Sequence, residues 1–184
     1  DEGYQGMEKS YLESMSGQCP TKPPCEIYCH SLTDPSILSP ALQNSGYQTL
    51  TLFGLDMPHR LFTDQPEEQR NLATQRYLDA INQHLAEPIQ DCLALDADGK
   101  PCLSAMSAMD LEEHLRLPKG HIFHGDLSWP FTDVEEEIGR WGVETQHPRV
   151  LVCGSSAKRG GAVSGLPGHN AAMCLLEKLG RSWA

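Results

Sequence analysis

The stretch RVLVCGSSAKRGGAVSGLPGHNAAMCLLEKL, residues 149–179, decides how this chain is read. An apolar run from Val150 to Cys153 is followed by five glycines within residues 154–168, and then by a helical run from His169 to Leu179. The order is strand, glycine-rich turn, helix. Glycines let a bulky group approach the backbone, and the first turn of the following helix carries free N–H groups and a partial positive charge. Many structural turns share this pattern, so the pattern alone leaves a purely structural role open. Neither standard phosphate loop is present, which argues against simple nucleotide phosphate binding.

Upstream, the composition shifts at Pro148, dividing the chain into residues 1–147 and 148–184. Met7, Tyr11, Leu12 and Met15 recur at spacings of three and four, predicting a short amphipathic helix within residues 3–16 that ends near Gly17. Residues 25–30 and 47–55 read as strands, with Cys25, Ile27 and Cys29 on one buried face of the first. Asp34-Pro35 marks a turn or the start of a short helix, and a loop follows to Gly46. The longest expected helix runs from Gln65 to Ala86, begun by Asp64 and Pro66 and stopped by Pro88. A short helix or strand is expected over residues 89–95, a turn at Asp98-Gly99, and a short helix over residues 110–115.

The net charge of −11 and pI near 5.0 disfavour nucleic acid and anionic membrane as partners. No apolar run approaches the roughly 20 residues of a membrane-spanning helix, and residues 1–4 lack the pattern of a signal peptide, so a cytoplasmic protein is expected, with the mitochondrial matrix or a membrane periphery as alternatives. Seven irregularly spaced cysteines read as reduced thiols. Cys19, Cys25, Cys29 and His30 lack the paired spacing of a zinc site, and no metal is expected.

The string GSSAKRGGAVSGLPGHNAA, residues 154–172, resembles the C-terminal flavin motif of phytoene-desaturase-like FAD-dependent oxidoreductases, of the pyridine nucleotide-disulfide oxidoreductase domain-containing type. GHIFHGDLS, residues 120–128, resembles a second block of that family at a similar distance upstream. The resemblance implies an α+β fold: an antiparallel-sheet substrate-binding domain with helices, residues 1–147, and the last strand and helix of a Rossmann-like FAD-binding domain, residues 148–184. It places Gly154, Gly160, Gly161, Ala162, Val163, Ser164, Gly165, Gly168, His169 and Asn170 at the cofactor, and His124, Asp126 and Trp129 near substrate or flavin. Ala162 stands where a third glycine is common, and residues 157–159 depart from the family pattern.

The implied reaction is hydride transfer from a hydrophobic small-molecule substrate to FAD, with no catalytic residue assigned. The family's dinucleotide-binding G-x-G-x-x-G is missing from the sequence, so the chain is expected to be a C-terminal part that alone binds FAD weakly or not at all and is inactive. The missing N-terminal half, another chain or a homodimer would then cover its exposed core surface. The alternative is a non-catalytic interaction or assembly module that keeps the scaffold. Trp129, Phe131 and Trp141 suit either a substrate channel or ordinary packing, and Glu135 to Glu137 suit a solvated face.

Overall fold

Local punctuation sets most element boundaries. The computed structural model describes residues 3–125, 129, 131–132, 134–158 and 164–181, and the chain forms two compact units, Asp1–Leu111 and Glu112–Ala184.

In the first unit, helix α1 (Tyr4–Met15) starts after Gly3 and ends where Gly17 turns left-handed at φ 82°. Strand β1 (Cys25–Tyr28) pairs antiparallel with β2 (Thr51–Gly54), Cys25 opposite Gly54 and Tyr28 opposite Thr51. Between them Asp34 caps a three-residue 3-10 turn, Pro35–Ile37, by accepting the Ser36 N–H at 3.0 Å. The segment expected to be a loop contains helix α2 (Pro40–Asn44), whose cap is the Ser39 hydroxyl accepting from Leu42 N–H at 3.4 Å. Serine followed by proline is a helix-start signal that outweighs the loop composition here.

Helix α3 (Pro66–Asn82) carries Pro66 at its first position and Glu67 and Glu68 in its first turn, where negative charge opposes the positive helix end. It stops short of Ala86 because the Asn82 side chain accepts the Ile89 N–H at 2.8 Å, bringing the chain back over the helix end. Residues expected as helix or strand then form a 3-10 turn, Ile89–Cys92. The Asp98-Gly99 turn closes on the Asp96 carboxylate, which accepts the N–H groups of Asp98 and Lys100 at 2.9 and 2.8 Å.

The packing around α3 is specific. Tyr77 is buried, and its hydroxyl donates to the Leu55 carbonyl at 3.2 Å beside Gly54 of β2. Arg76 donates to the Cys19 carbonyl, and Arg60 to the Ser14 carbonyl at 2.9 Å, fastening the turn after α1 and the helix itself. Arg70 pairs with Asp110 at 3.0 Å, and Asp110 forms a reciprocal cap with Ser107 at the start of α4 (Ala108–Leu115). The expected buried face of β1 is corrected: Cys25 and Cys29 are half-buried and Ile27 is exposed, because a two-stranded ribbon is too narrow to cover its own face.

Candidate functional site

The second unit is built around Val143. It packs with Ala157 and Cys174, and Trp141, Leu151, Val152 and Ala171 close around that cluster. Three segments meet there: the loop 141–145, the run 150–158, and helix α5 (Leu166–Lys178). The strand expected over Val150 to Cys153 is reduced to a single bridge, Leu151 with Glu144, reinforced by Val152 N–H donating to Val143 O at 2.8 Å. Its pairing partner is a loop turned by Gly142 at φ 71°, which offers only one residue in register. Cys153, at the end of that apolar run, is exposed.

The first residues of the glycine-rich stretch, 154–158, are seated on this loop. Ala157 N–H donates to Gly154 O at 3.1 Å, and Lys158 N–H to Gly142 O at 2.9 Å. Helix α5 is tied to the same loop by Asn170 Nδ2, which donates to the Trp141 carbonyl at 3.0 Å, and by Trp141 Nε1, which donates to Glu177 at 2.9 Å. The Glu144 carboxylate accepts the N–H groups of Trp141 and Val143 at 3.2 and 3.0 Å. Burial alone would raise its pKa, but the ring of backbone donors from residues 141–144 outweighs burial and holds it below the ordinary carboxylate value. Burial pushes the neighbouring Cys174 thiol up, assisted by Glu144, which makes it a packing group rather than a nucleophile.

At the entrance to α5, Gly165 is left-handed at φ 71°. The Ser164 hydroxyl accepts Leu166 N–H at 3.3 Å, His169 N–H donates to Gly165 O at 3.0 Å, and Pro167 has no N–H to offer. The Gly168 N–H has no acceptor among the described residues. Ser164, Gly165, Gly168 and His169 are exposed, whereas Asn170 is half-buried and committed to the Trp141 carbonyl. His169 lies edge-on to the Trp141 ring at 6.3 Å. Gly160, Gly161, Ala162 and Val163 lie outside the described residues, as does Asp126.

A cavity of about 480 Å3 opens beside the seated turn. Gly142, Val143 and Glu144 line it with Ser156, Ala157 and Lys158, together with Phe131, Glu137 and Arg140. Phe131 lines this cavity and meets the exposed Trp129 edge-on at 5.3 Å. Of the expected acidic face, Glu137 turns back to pair with Lys158, while Glu135 and Glu136 are exposed. His124 is exposed, does not line the cavity, and sits in a left-handed turn at φ 62° with its N–H donating to His121 O at 2.9 Å. Among the described residues no group of three or more His, Cys, Asp or Glu is placed to hold a metal ion, and no helix is long and apolar enough to cross a membrane. Arg140 and Glu144 escaped the sequence reading, since no local residue pattern marks either of them.

No family model matches the chain, and no solved structure matches it. Its similarity is to segments of larger proteins, some of which are named for an oxidoreductase domain. Uncharacterized proteins of Mycobacterium tuberculosis and Mycobacterium bovis are 49% identical to it over 183 residues, 97% of this chain and 34% of theirs. Pyridine nucleotide-disulfide oxidoreductase domain-containing protein 2 is 29% identical in Mus musculus and 27% in Rattus norvegicus, in each case over 91% of this chain and 27% of that protein. The chain thus spans about a third or less of the length of these relatives.

Proposed function

We propose that the chain is the flavin-ring part of an FAD-dependent oxidoreductase of the phytoene-desaturase-like type. The supporting observation is a pair of glycines that the protein itself does not require. Gly154 and Gly168 have no left-handed φ, and among the described residues a Cβ added at either would meet no heavy atom within 4 Å outside its chain neighbours and its own helix backbone. Gly168 is also inside a helix, where glycine costs about 0.5–1 kcal/mol relative to alanine. Close approach of a flat ligand supplies a reason for both, so the described residues fit the group. The oxidoreductase-domain name of the rodent relatives supports the oxidoreductase part of this reading.

In this proposal a bound flavin supplies the acceptor for a hydride from substrate. The chain's own residues bind and position. Gly154 and Gly168 leave room at the backbone, and Gly165 makes the sharp entry to α5 that only a left-handed residue allows. The Gly168 N–H, which has no acceptor among the described residues, and the positive end of the 13-residue helix would stabilise negative charge on the ring's pyrimidine edge. Asn170 and Trp141 fix the helix on the Val143 core, so these donors are held in place before any ligand arrives. Phe131, with Trp129 edge-on to it, offers an apolar contact for a hydrophobic substrate at the cavity.

The test is flavin titration of the purified chain, and of the longer polypeptide of which such a segment forms part in its relatives, followed by absorption in the visible flavin bands. A yellow longer polypeptide whose flavin content falls on Gly168→Ala supports the reading. A colourless longer polypeptide, indifferent to added FAD, overturns it in favour of a non-catalytic assembly module.

A further inference from the structure

The carbonyls of three consecutive loop residues are taken up by three different parts of the second unit. The Trp141 carbonyl accepts Asn170 Nδ2 of α5 at 3.0 Å, the Gly142 carbonyl accepts Lys158 N–H at 2.9 Å, and the Val143 carbonyl accepts Val152 N–H at 2.8 Å. The loop thereby ties down α5, the end of the run 154–158 and the bridge at Leu151. N–H groups of the same loop converge on the Glu144 carboxylate. Trp141 N–H donates to Oε1 at 3.2 Å and Val143 N–H to Oε2 at 3.0 Å. The left-handed turn at Gly142, φ 71°, gathers these donors on one side, in the kind of concave backbone arrangement that holds anions. Here the anion is a side chain of the loop itself.

Each carboxylate oxygen carries its own backbone donor, and the Cys174 thiol of α5 reaches Oε1 as well, at 3.8 Å. Those donors hold the Glu144 pKa below the ordinary carboxylate value, so the group is ionised at neutral pH. Hydrogen bonds to an ionised acceptor are roughly twice as strong as neutral ones. An amide of the same shape cannot replace this acceptor. Whichever way it is turned, its NH2 faces one of the two loop N–H groups and leaves that donor unpaired. The loop then loosens, and its carbonyls move with it. Residues 154–158 and α5, on either side of the glycine-rich stretch, are both held by those carbonyls, so one side chain sets their mutual register.

We infer that Glu144 is a positioning residue of the proposed flavin site: through loop 141–143 it fixes the run 154–158 and helix α5 relative to each other. The inference rests on the flavin reading. It is tested with Glu144→Gln in the longer polypeptide of which such a segment forms part in its relatives, and with Leu151→Ala for comparison. Leu151 packs against the Val143 core, and its truncation thins that core without removing a donor to the carboxylate. Wild type and both variants are titrated with FAD, with circular dichroism following folding. Glu144→Gln should bind FAD at least tenfold more weakly and, once saturated, show a displaced visible flavin band. Leu151→Ala should melt earlier than wild type yet keep the wild-type band. In the flavin-free chain, amide hydrogen exchange at Val152 and Lys158 should quicken at least tenfold in Glu144→Gln. If Glu144→Gln does not fold, Glu144→Asp, which keeps the charge but is one methylene too short to span both donors, takes its place with the same expectations. Three results would overturn the role: a Glu144 variant that binds FAD as tightly as wild type, a band displaced alike in both variants, or unchanged exchange at Lys158. A wild type that binds no FAD overturns the flavin reading itself, which separates the two failures.

Discussion

Replacing Gly54 by alanine should damage the first unit through one contact. A Cβ at residue 54 would lie 2.3 Å from the Tyr77 hydroxyl oxygen, 2.7 Å from Cζ and 3.0 Å from Cε2. Side-chain carbons essentially never come that close, so the ring must retreat by the better part of an ångström. Tyr77 is buried on α3 and its hydroxyl holds the Leu55 carbonyl, so retreat also lengthens that hydrogen bond. Overpacking costs about 1–3 kcal/mol and the strained hydrogen bond about 1 kcal/mol more, which puts Gly54→Ala at about 2–4 kcal/mol. Urea denaturation would measure it, with Tyr77→Phe completing a double-mutant cycle. Phenylalanine removes the 2.3 Å contact and leaves the 2.7 Å one, so the double variant should be less destabilised than the two single losses combined, by about 1 kcal/mol. A neutral Gly54→Ala, or strict additivity with Tyr77→Phe, would refute the steric argument.

Burial, with nearby Cys25, Cys19 and Asp56, raises the Tyr77 phenol well above its ordinary value of 10.0, so the folded state favours the neutral form. That stability is fully present below pH 10 and is lost as pH rises beyond it, and Tyr77→Phe should flatten this part of an alkaline stability curve. Asp110 is pulled the other way: burial would raise its carboxyl pKa, but the Ser107 hydrogen bonds and Arg70 outweigh burial and depress it. Asp110→Asn should therefore cost about 1 kcal/mol at neutral pH, and its deficit against wild type in urea melts should shrink as pH falls below the ordinary carboxylate range. Gly168→Ala should stabilise the flavin-free chain by about 0.5–1 kcal/mol while weakening flavin binding at least tenfold. Stabilisation with flavin affinity unchanged would remove the ligand-approach explanation for that glycine.

Elements announced by short-range chemistry were legible in the sequence. Pro66 with its two following glutamates starts α3, Asp34 caps its turn, and the apolar run after Gly165 becomes α5, because capping and proline geometry act over a few residues. The end of α3 was misjudged because the Asn82 side chain reaches seven residues ahead to stop it. Periodicity found the stripe on α1 but could not say that it faces outward, since a repeat of 3.6 residues marks a face without naming what covers it.

The glycines and the helix entry of the candidate site belong to the sequence, and so does the resemblance they carry. The seat for that turn does not. It depends on the Gly142 carbonyl meeting Lys158 N–H, on Asn170 reaching Trp141, and on backbone donors gathering around Glu144. These contacts join residues from 16 to 29 positions apart, or arise from a left-handed turn at Gly142 that no residue pattern announces. Hydrogen bonds of that range form only once the Val143 core has collapsed, which is why tertiary structure alone decided where residues 154–158 sit.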